Sequence, residues 1–162
     1  MIVNNDSTPV THTLDEMHVP YRLFRHAGPV HSLEQAARER GQQPNQVVRS
    51  IVFRLGEGEF VMVLVAGPGR ISWPALRRYL GQSRLTMASE AEVLSATGYE
   101  RGAVSPFGLP APVRTLVDRG LLAQDEISLG SGRRGLAVVM RREALVNALE
   151  GAEFDDFLEK EG

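Results

Sequence analysis

Apolar positions along the chain change period several times, and each change marks a short element. Leu14, Met17 and Val19 recur at helical spacing and predict a first helix ending before Pro20. Tyr21 to His26 alternates apolar and polar residues, the period of a half-buried strand. Ser32-Leu-Glu-Gln35 is a capping box, and the helix it starts runs through Ala36 to Arg40 and stops at Gly41. Val47 to Leu55 is rich in β-branched residues and predicts a strand. Gly56-Glu-Gly58 supplies a turn and Phe60 to Ala66 the returning strand, so the three read as a hairpin. After a break at Gly67-Pro-Gly69, Ser72 caps a helix with Pro74 in its first turn that reaches Leu80. Ser89-Glu-Ala-Glu92 is a second capping box, for a helix to Ala96. Val113 to Val117 reads as a strand, Ile127 to Leu129 and Leu136 to Met140 as two more joined by a glycine-rich turn, and Arg142 to Leu149 as the last helix. Interspersed helices and strands with a tight hairpin predict an α+β fold with a mixed sheet, not a doubly wound one.

The 162 residues suit a single domain, 1–162, with its core between about residues 10 and 157. A chain of this size buries roughly 70% of its unfolded surface and needs no staple. Residues 1–8 read as a loose leader and Phe154 to Gly162 as an acidic tail that frays. The leader lacks a basic n-region and an apolar h-region, so no signal peptide is expected. The longest apolar stretch, Phe60 to Ala66, is far short of the ~20 residues that span a bilayer. The expected location is the cytoplasm, with no membrane partner. The chain has no cysteine, which removes disulfides, cysteine–zinc sites and a cysteine nucleophile. Of its 18 basic side chains all but Lys160 are arginine, so chemistry in a folded pocket must proceed without lysine. The net charge of −2 lacks the strong basic excess of a non-specific nucleic-acid binder.

Gly130-Ser-Gly132-Arg-Arg-Gly135 matches G-x-G-x-x-G. A dinucleotide fingerprint must open a helix early in a βαβ unit, whereas here a strand-like run follows. The turn also reads as a β-hairpin connection, or as an anion cradle in which backbone N–H groups approach a phosphate and Arg133 and Arg134 add charge. There is no P-loop and no G-x-S-x-G elbow. The histidines, His12, His18, His26 and His31, form no recognised metal spacing, so no metal is expected. His26 and His31 flank a turn, where they either line a pocket or sit on the surface. Arg49 lies between apolar neighbours in the Val47 to Leu55 strand. It either faces water from an edge or points into a polar pocket. Gly98 to Pro112 is a Gly/Pro loop whose Val104, Phe107 and Leu109 predict that it packs down.

Three segments together resemble the YbaK / prolyl-tRNA synthetase-associated domain family. They are Asn45-Gln-Val-Val-Arg-Ser50, Thr97-Gly-Tyr-Glu-Arg-Gly-Ala-Val-Ser-Pro-Phe-Gly108 and Gly130-Ser-Gly-Arg-Arg-Gly135. Gly98, Gly102, Ser105, Pro106 and Gly108 fall at the family's spacing, and Asp118 after a strand fits in order. The resemblance implies a curved mixed β-sheet with flanking helices and a pocket for the aminoacylated 3′ end of a tRNA. It also implies hydrolysis in trans of the ester of a mischarged aminoacyl-tRNA, the second sieve of double-sieve editing, with no cofactor and with a synthetase as a further partner. Carried onto this chain, it places Arg49, Gly102 and Ser105 at the reacting group. His26, Ser50, Gly98, Pro106, Phe107, Gly130, Ser131, Gly132 and Arg133 fall around the substrate.

Two positions depart from the family pattern. Arg49 stands where editing members typically carry lysine, and Ala137 where some carry aspartate. Arginine stays protonated at working pH and cannot be a general base. It can hold a phosphate or the terminal ribose, or donate to the carbonyl. An ester needs little activation, so positioned water with donors for the oxyanion suffices. The alternative reading is a binding module for a tRNA end, a nucleotide or a synthetase, without turnover. A third is a small-molecule esterase or nucleotide-binding protein unrelated to tRNA.

Overall fold

A computed structural model describes residues 6–160. The elements follow in the order α1 (Pro9–Glu16), β1 (Arg22–Arg25), α2 (Leu33–Arg40), β2 (Val48–Gly56), β3 (Glu59–Ala66), α3 (Trp73–Leu80) and β4 (Thr86–Met87), then α4 (Glu90–Thr97), β5 (Arg114–Asp118), β6 (Glu126–Gly130), β7 (Leu136–Arg141), α5 (Arg142–Ala148) and β8 (Glu153–Asp155). Short 3₁₀ turns cover Pro44–Gln46 and Arg119–Ala123. The fold is α+β. One sheet has the antiparallel order β1-β7-β6, the other the mixed order β4-β2-β3-β5-β8. The curved mixed sheet is thus two sheets, joined by a parallel bridge between Val47 and Ser128.

Strand alternation splits the mixed sheet's apolar side chains between two cores. Val48, Val52, Met62, Leu64 and Val117 face α1, α4, α5 and the β6–β7 pair. Phe53, Val61, Val63, Val65 and Leu116 face α3 and Phe157. β3 is buried on both faces from Val61 to Ala66, hence its unbroken apolar run.

The capping signals act as the chemistry dictates. Ser32, Ser72 and Ser89 accept from the backbone N–H three residues on. Glu92 completes its box by accepting from Ser89 N, whereas the Gln35 side chain accepts from His31 N instead of Ser32. The first helix stops at Glu16, because His18 takes a left-handed backbone (φ 58°) and leaves Met17 exposed.

Two expectations about the ends need correction. Part of the loose leader, residues 1–5, lies outside the described residues. Thr8, however, is buried and caps α1 in a box with Thr11, and Asp6 pairs with Arg25. The acidic tail does not fray at its start. Glu153–Asp155 adds strand β8 in parallel to β5, and Phe157 is fully buried. Asp118 explains the anchoring, since its carboxylate accepts from Phe157 N (2.7 Å) and Gly120 N (2.9 Å). No helix of the described residues is long and apolar enough to cross a membrane.

Candidate functional site

β2 pairs with β3 along its length, but on its other edge β4 covers only Phe53 and Arg54. The stretch Val48–Ile51 therefore borders a cleft of about 960 Å³. Its other walls are the 28–33 loop with α2, the 101–104 loop and the β6–β7 turn. Val48, Val104, Leu129 and Leu136 form apolar surface inside it. Arg40, Arg49, Arg101 and Arg134 line it with His26 and His31, and no carboxylate does so among the described residues.

Alternation sends Ser50 toward the Val48 face and Arg49 to the opposite one. Ser50 Oγ is buried and has no hydrogen-bond partner among the described residues. Such an atom costs free energy unless a ligand or water satisfies it. Arg49 borders the cleft, yet its guanidinium is bound: Nε donates to Gly67 O (2.9 Å) and Nη2 to Gly69 O. Burial lowers its basicity, and no acidic partner restores it. Arg49 thus lies at the cleft, with its guanidinium tied to two carbonyls of the 67–69 loop.

Arg40 is the residue that pattern reading missed. Nε donates to His26 Nε2 (3.0 Å) and Nη1 to Ser128 Oγ (2.9 Å). Burial brings its pKa down to about 10. Since a guanidinium only donates, His26 Nε2 is an acceptor and the ring proton sits on Nδ1, donating to Glu39 Oε1 (2.7 Å). Ser128 Oγ passes its proton to Gln42 Oε1 (2.6 Å), and Gln42 Nε2 donates to Glu126 (3.1 Å). This buried polar chain fixes one wall of the cleft. The signal was available: Arg40 follows the buried Ala36 by one turn, so both share the inward face of α2.

Of the other residues singled out, Gly102 and Gly130 also border the cleft. Gly102 is the third residue of a turn closed by Ala103 N donating to Glu100 O (2.9 Å), with φ 93°, a backbone that favours glycine. Its own N–H has no partner among the described residues. Gly130 allows close approach, because a Cβ there would stand 2.2 Å from Val104 O.

The remaining candidates do not line the cleft. Gly98 is the left-handed cap of α4. Ser105 is fully buried, its hydroxyl accepting from Phe107 N. Pro106 and Phe107 border a separate depression of about 310 Å³. Ser131 spends its hydroxyl on Leu136 O (2.6 Å). Gly132 packs on the Tyr99 ring and donates to Ala103 O. Arg133 reaches away to Ser7 O, and its neighbour Arg134 borders the cleft instead. The glycine-rich turn is a hairpin connection between β6 and β7, not the start of a helix. No group of three or more His, Asp or Glu suited to a metal ion occurs among the described residues.

Comparison with known proteins places this geometry. The chain is 32% identical over 118 residues to a proline–tRNA ligase of Limosilactobacillus fermentum, covering 70% of the chain and 21% of the ligase. It spans about a fifth of the length of such ligases. It is 26% identical to the prolyl-tRNA editing protein ProX of Acetoanaerobium sticklandii, covering 82% of the chain and 83% of that protein. A crystal structure described as a candidate trans-editing enzyme for prolyl-tRNA synthetase superposes with a TM-score of 0.86 at 26% identity, over 98% of this chain and 100% of that one. The aminoacyl-tRNA editing domain profile matches residues 27–148, and the chain belongs to that family.

Proposed function

We propose that this chain, acting as one domain, hydrolyses in trans the ester that links a wrong amino acid to a tRNA, using the cleft bordered by β2 and the 101–104 loop. The observation that carries the reading is the cleft's composition: four arginines, two histidines and no carboxylate around apolar surface, with a buried unpartnered hydroxyl at Ser50 and an unpartnered N–H at Gly102. Such a lining attracts the phosphates of a 3′ end and leaves an apolar recess for a small side chain. Water adds to the ester carbonyl, the Gly102 N–H stabilises the oxyanion, and the bond to the ribose oxygen breaks. The ribose oxygen takes a proton, releasing free amino acid and intact tRNA. Arg49 is not the base, since it stays protonated. Bound to two backbone carbonyls, it offers its remaining N–H groups to the substrate as a fixed cation.

The names of the relatives make tRNA for proline, charged with another amino acid, the first substrate to test, and prolyl-tRNA synthetase the partner to test. The protein is incubated with a panel of mischarged tRNAs, and free amino acid is measured against the spontaneous rate. Accelerated release from at least one member, weakened by Arg49→Ala and by added salt, is expected. Binding of the tRNA end with no release from any member would overturn the hydrolase reading.

A further inference from the structure

We infer that Arg134 is a positioning residue that holds the Arg101–Gly102 peptide in one of its two flip states and so aims the Gly102 N–H at the reacting carbonyl. In the turn from Glu100 to Ala103, the central peptide is the one between Arg101 and Gly102. Its two common orientations, type I and type II, leave the closing hydrogen bond intact and differ in the direction of that peptide. The φ of 93° at Gly102 belongs to the left-handed third position of type II. Glycine populates both signs of φ with similar ease, so the residue itself chooses neither state.

The choice comes from the neighbouring β6–β7 turn. Arg134 Nε and Nη2 both donate to Arg101 O, at 3.1 and 2.9 Å. Glu100 steadies the same guanidinium, its carboxylate lying 3.4 Å from Nε. The other backbone contacts of the turn, Ala103 N to Glu100 O and Gly132 N to Ala103 O, hold its ends, and the Arg101 side chain is tied to Ala88 O (2.7 Å) without touching the central peptide's own C=O or N–H. A trans peptide carries C=O and N–H on opposite sides of one plane. Capturing Arg101 O therefore fixes the Gly102 N–H in the opposite direction, and that N–H has no partner among the described residues. A flip would do more than withdraw a donor, because it would turn a carbonyl oxygen toward a developing oxyanion.

That the N–H serves an ester rests on the function proposed above; the flip itself does not, and the experiment separates the two. The Gly102 amide resonance of the isotope-labelled full chain is followed in the unmodified protein and in Arg134→Ala, and deacylation kinetics are measured on the same samples and on Gly102→Ala. A Cβ at Gly102 would meet nothing closer than Arg134 Nε at 3.8 Å, so that variant disfavours the left-handed state without a clash. The Arg134→Ala protein is expected to show a second or exchange-broadened Gly102 resonance, confined to residues 100–103, while the rest of the spectrum is retained. Its kcat should fall at unchanged KM, by about tenfold and at most by the ~10²–10³-fold that complete loss of an oxyanion donor costs. The double variant should be no slower than the slower single one, because both substitutions act on one flip. An unchanged Gly102 resonance in Arg134→Ala overturns the proposal, and so does a raised KM at unchanged kcat, which would make Arg134 a phosphate contact. If the unmodified chain hydrolyses no mischarged tRNA, the hydrolase reading fails and the resonance alone decides the flip.

Discussion

Arg40→Ala probes the buried polar chain at its centre. The substitution removes donors to His26 Nε2 and Ser128 Oγ, and both acceptors are enclosed: the His26 side chain is 1% exposed and Ser128 0%. An orphaned buried acceptor costs about 1–3 kcal/mol. His26 Nε2 loses its only partner and belongs near the top of that range. Ser128 Oγ keeps its bond to Gln42 and belongs near the bottom. Two effects oppose these losses. The desolvation that brings Arg40 to a pKa of about 10 is relieved, and water from the cleft reaches the vacated space. The balance is a destabilisation of about 1–3 kcal/mol, which for a chain of this size lowers Tm by roughly 3–10 °C. Thermal and urea unfolding at pH 7 measure it, and Arg40→Met separates the lost hydrogen bonds from the lost stem. Nitrogen spectra of the His26 ring add a second readout, since the Nε2 resonance shifts when its Arg40 donor is lost while Glu39 keeps the proton on Nδ1. A Tm within about 1 °C of the unmodified chain, with the His26 Nε2 resonance unmoved, would refute the reasoning.

Two further outcomes follow from buried groups. All three tyrosines resist ionisation: burial and Asp15 push Tyr21 up to about 12, burial pushes Tyr99 up to about 12, and the hydrogen bond to Glu153 raises Tyr79. Ultraviolet titration of the folded chain at pH 10 should show less phenolate than three half-ionised, unperturbed tyrosines would give. With folded values above unfolded ones, the contribution of Tyr21 and Tyr99 to stability is full below pH 10 and is lost as pH rises toward 12; three half-ionised tyrosines at pH 10 without unfolding contradict this. Phe157→Ala empties a site that is 0% exposed between α3 and the mixed sheet. It should cost about 3–5 kcal/mol by urea unfolding, and a loss below about 1 kcal/mol would return residue 157 to a frayed tail.

Local chemistry made most of the fold legible. Ser32, Ser72 and Ser89 announce their helices through the N–H each satisfies, and the β2–β3 hairpin follows from β-branched runs on either side of Gly56 to Gly58. What stayed hidden depends on partners far along the chain. Phe154 and Asp155 read as the start of an acidic tail until β5, almost forty residues earlier, pairs with them in parallel. Arg40 reads as the polar end of a short helix until Ser128 arrives from β6. In the candidate site, glycine spacing marked Gly102, which borders the cleft, together with Gly98, Ser105 and Gly132, which do not. Gly98, Ser105 and Gly132 shape the loop from beneath, and only backbone direction, which no side-chain pattern encodes, sets Gly102 apart.

Phe157 also bears on the order of events when the polypeptide is made. β3, at the centre of the mixed sheet, leaves the ribosome about ninety residues before Phe157 does, at roughly 5–20 residues per second. For several seconds Val61, Val63, Val65 and Leu116 have α3 to shelter them but not the ring that closes their core. Until Phe157 is made, the β3 and β5 side chains of that core stay open to solvent, the stage at which the chain is most exposed to aggregation.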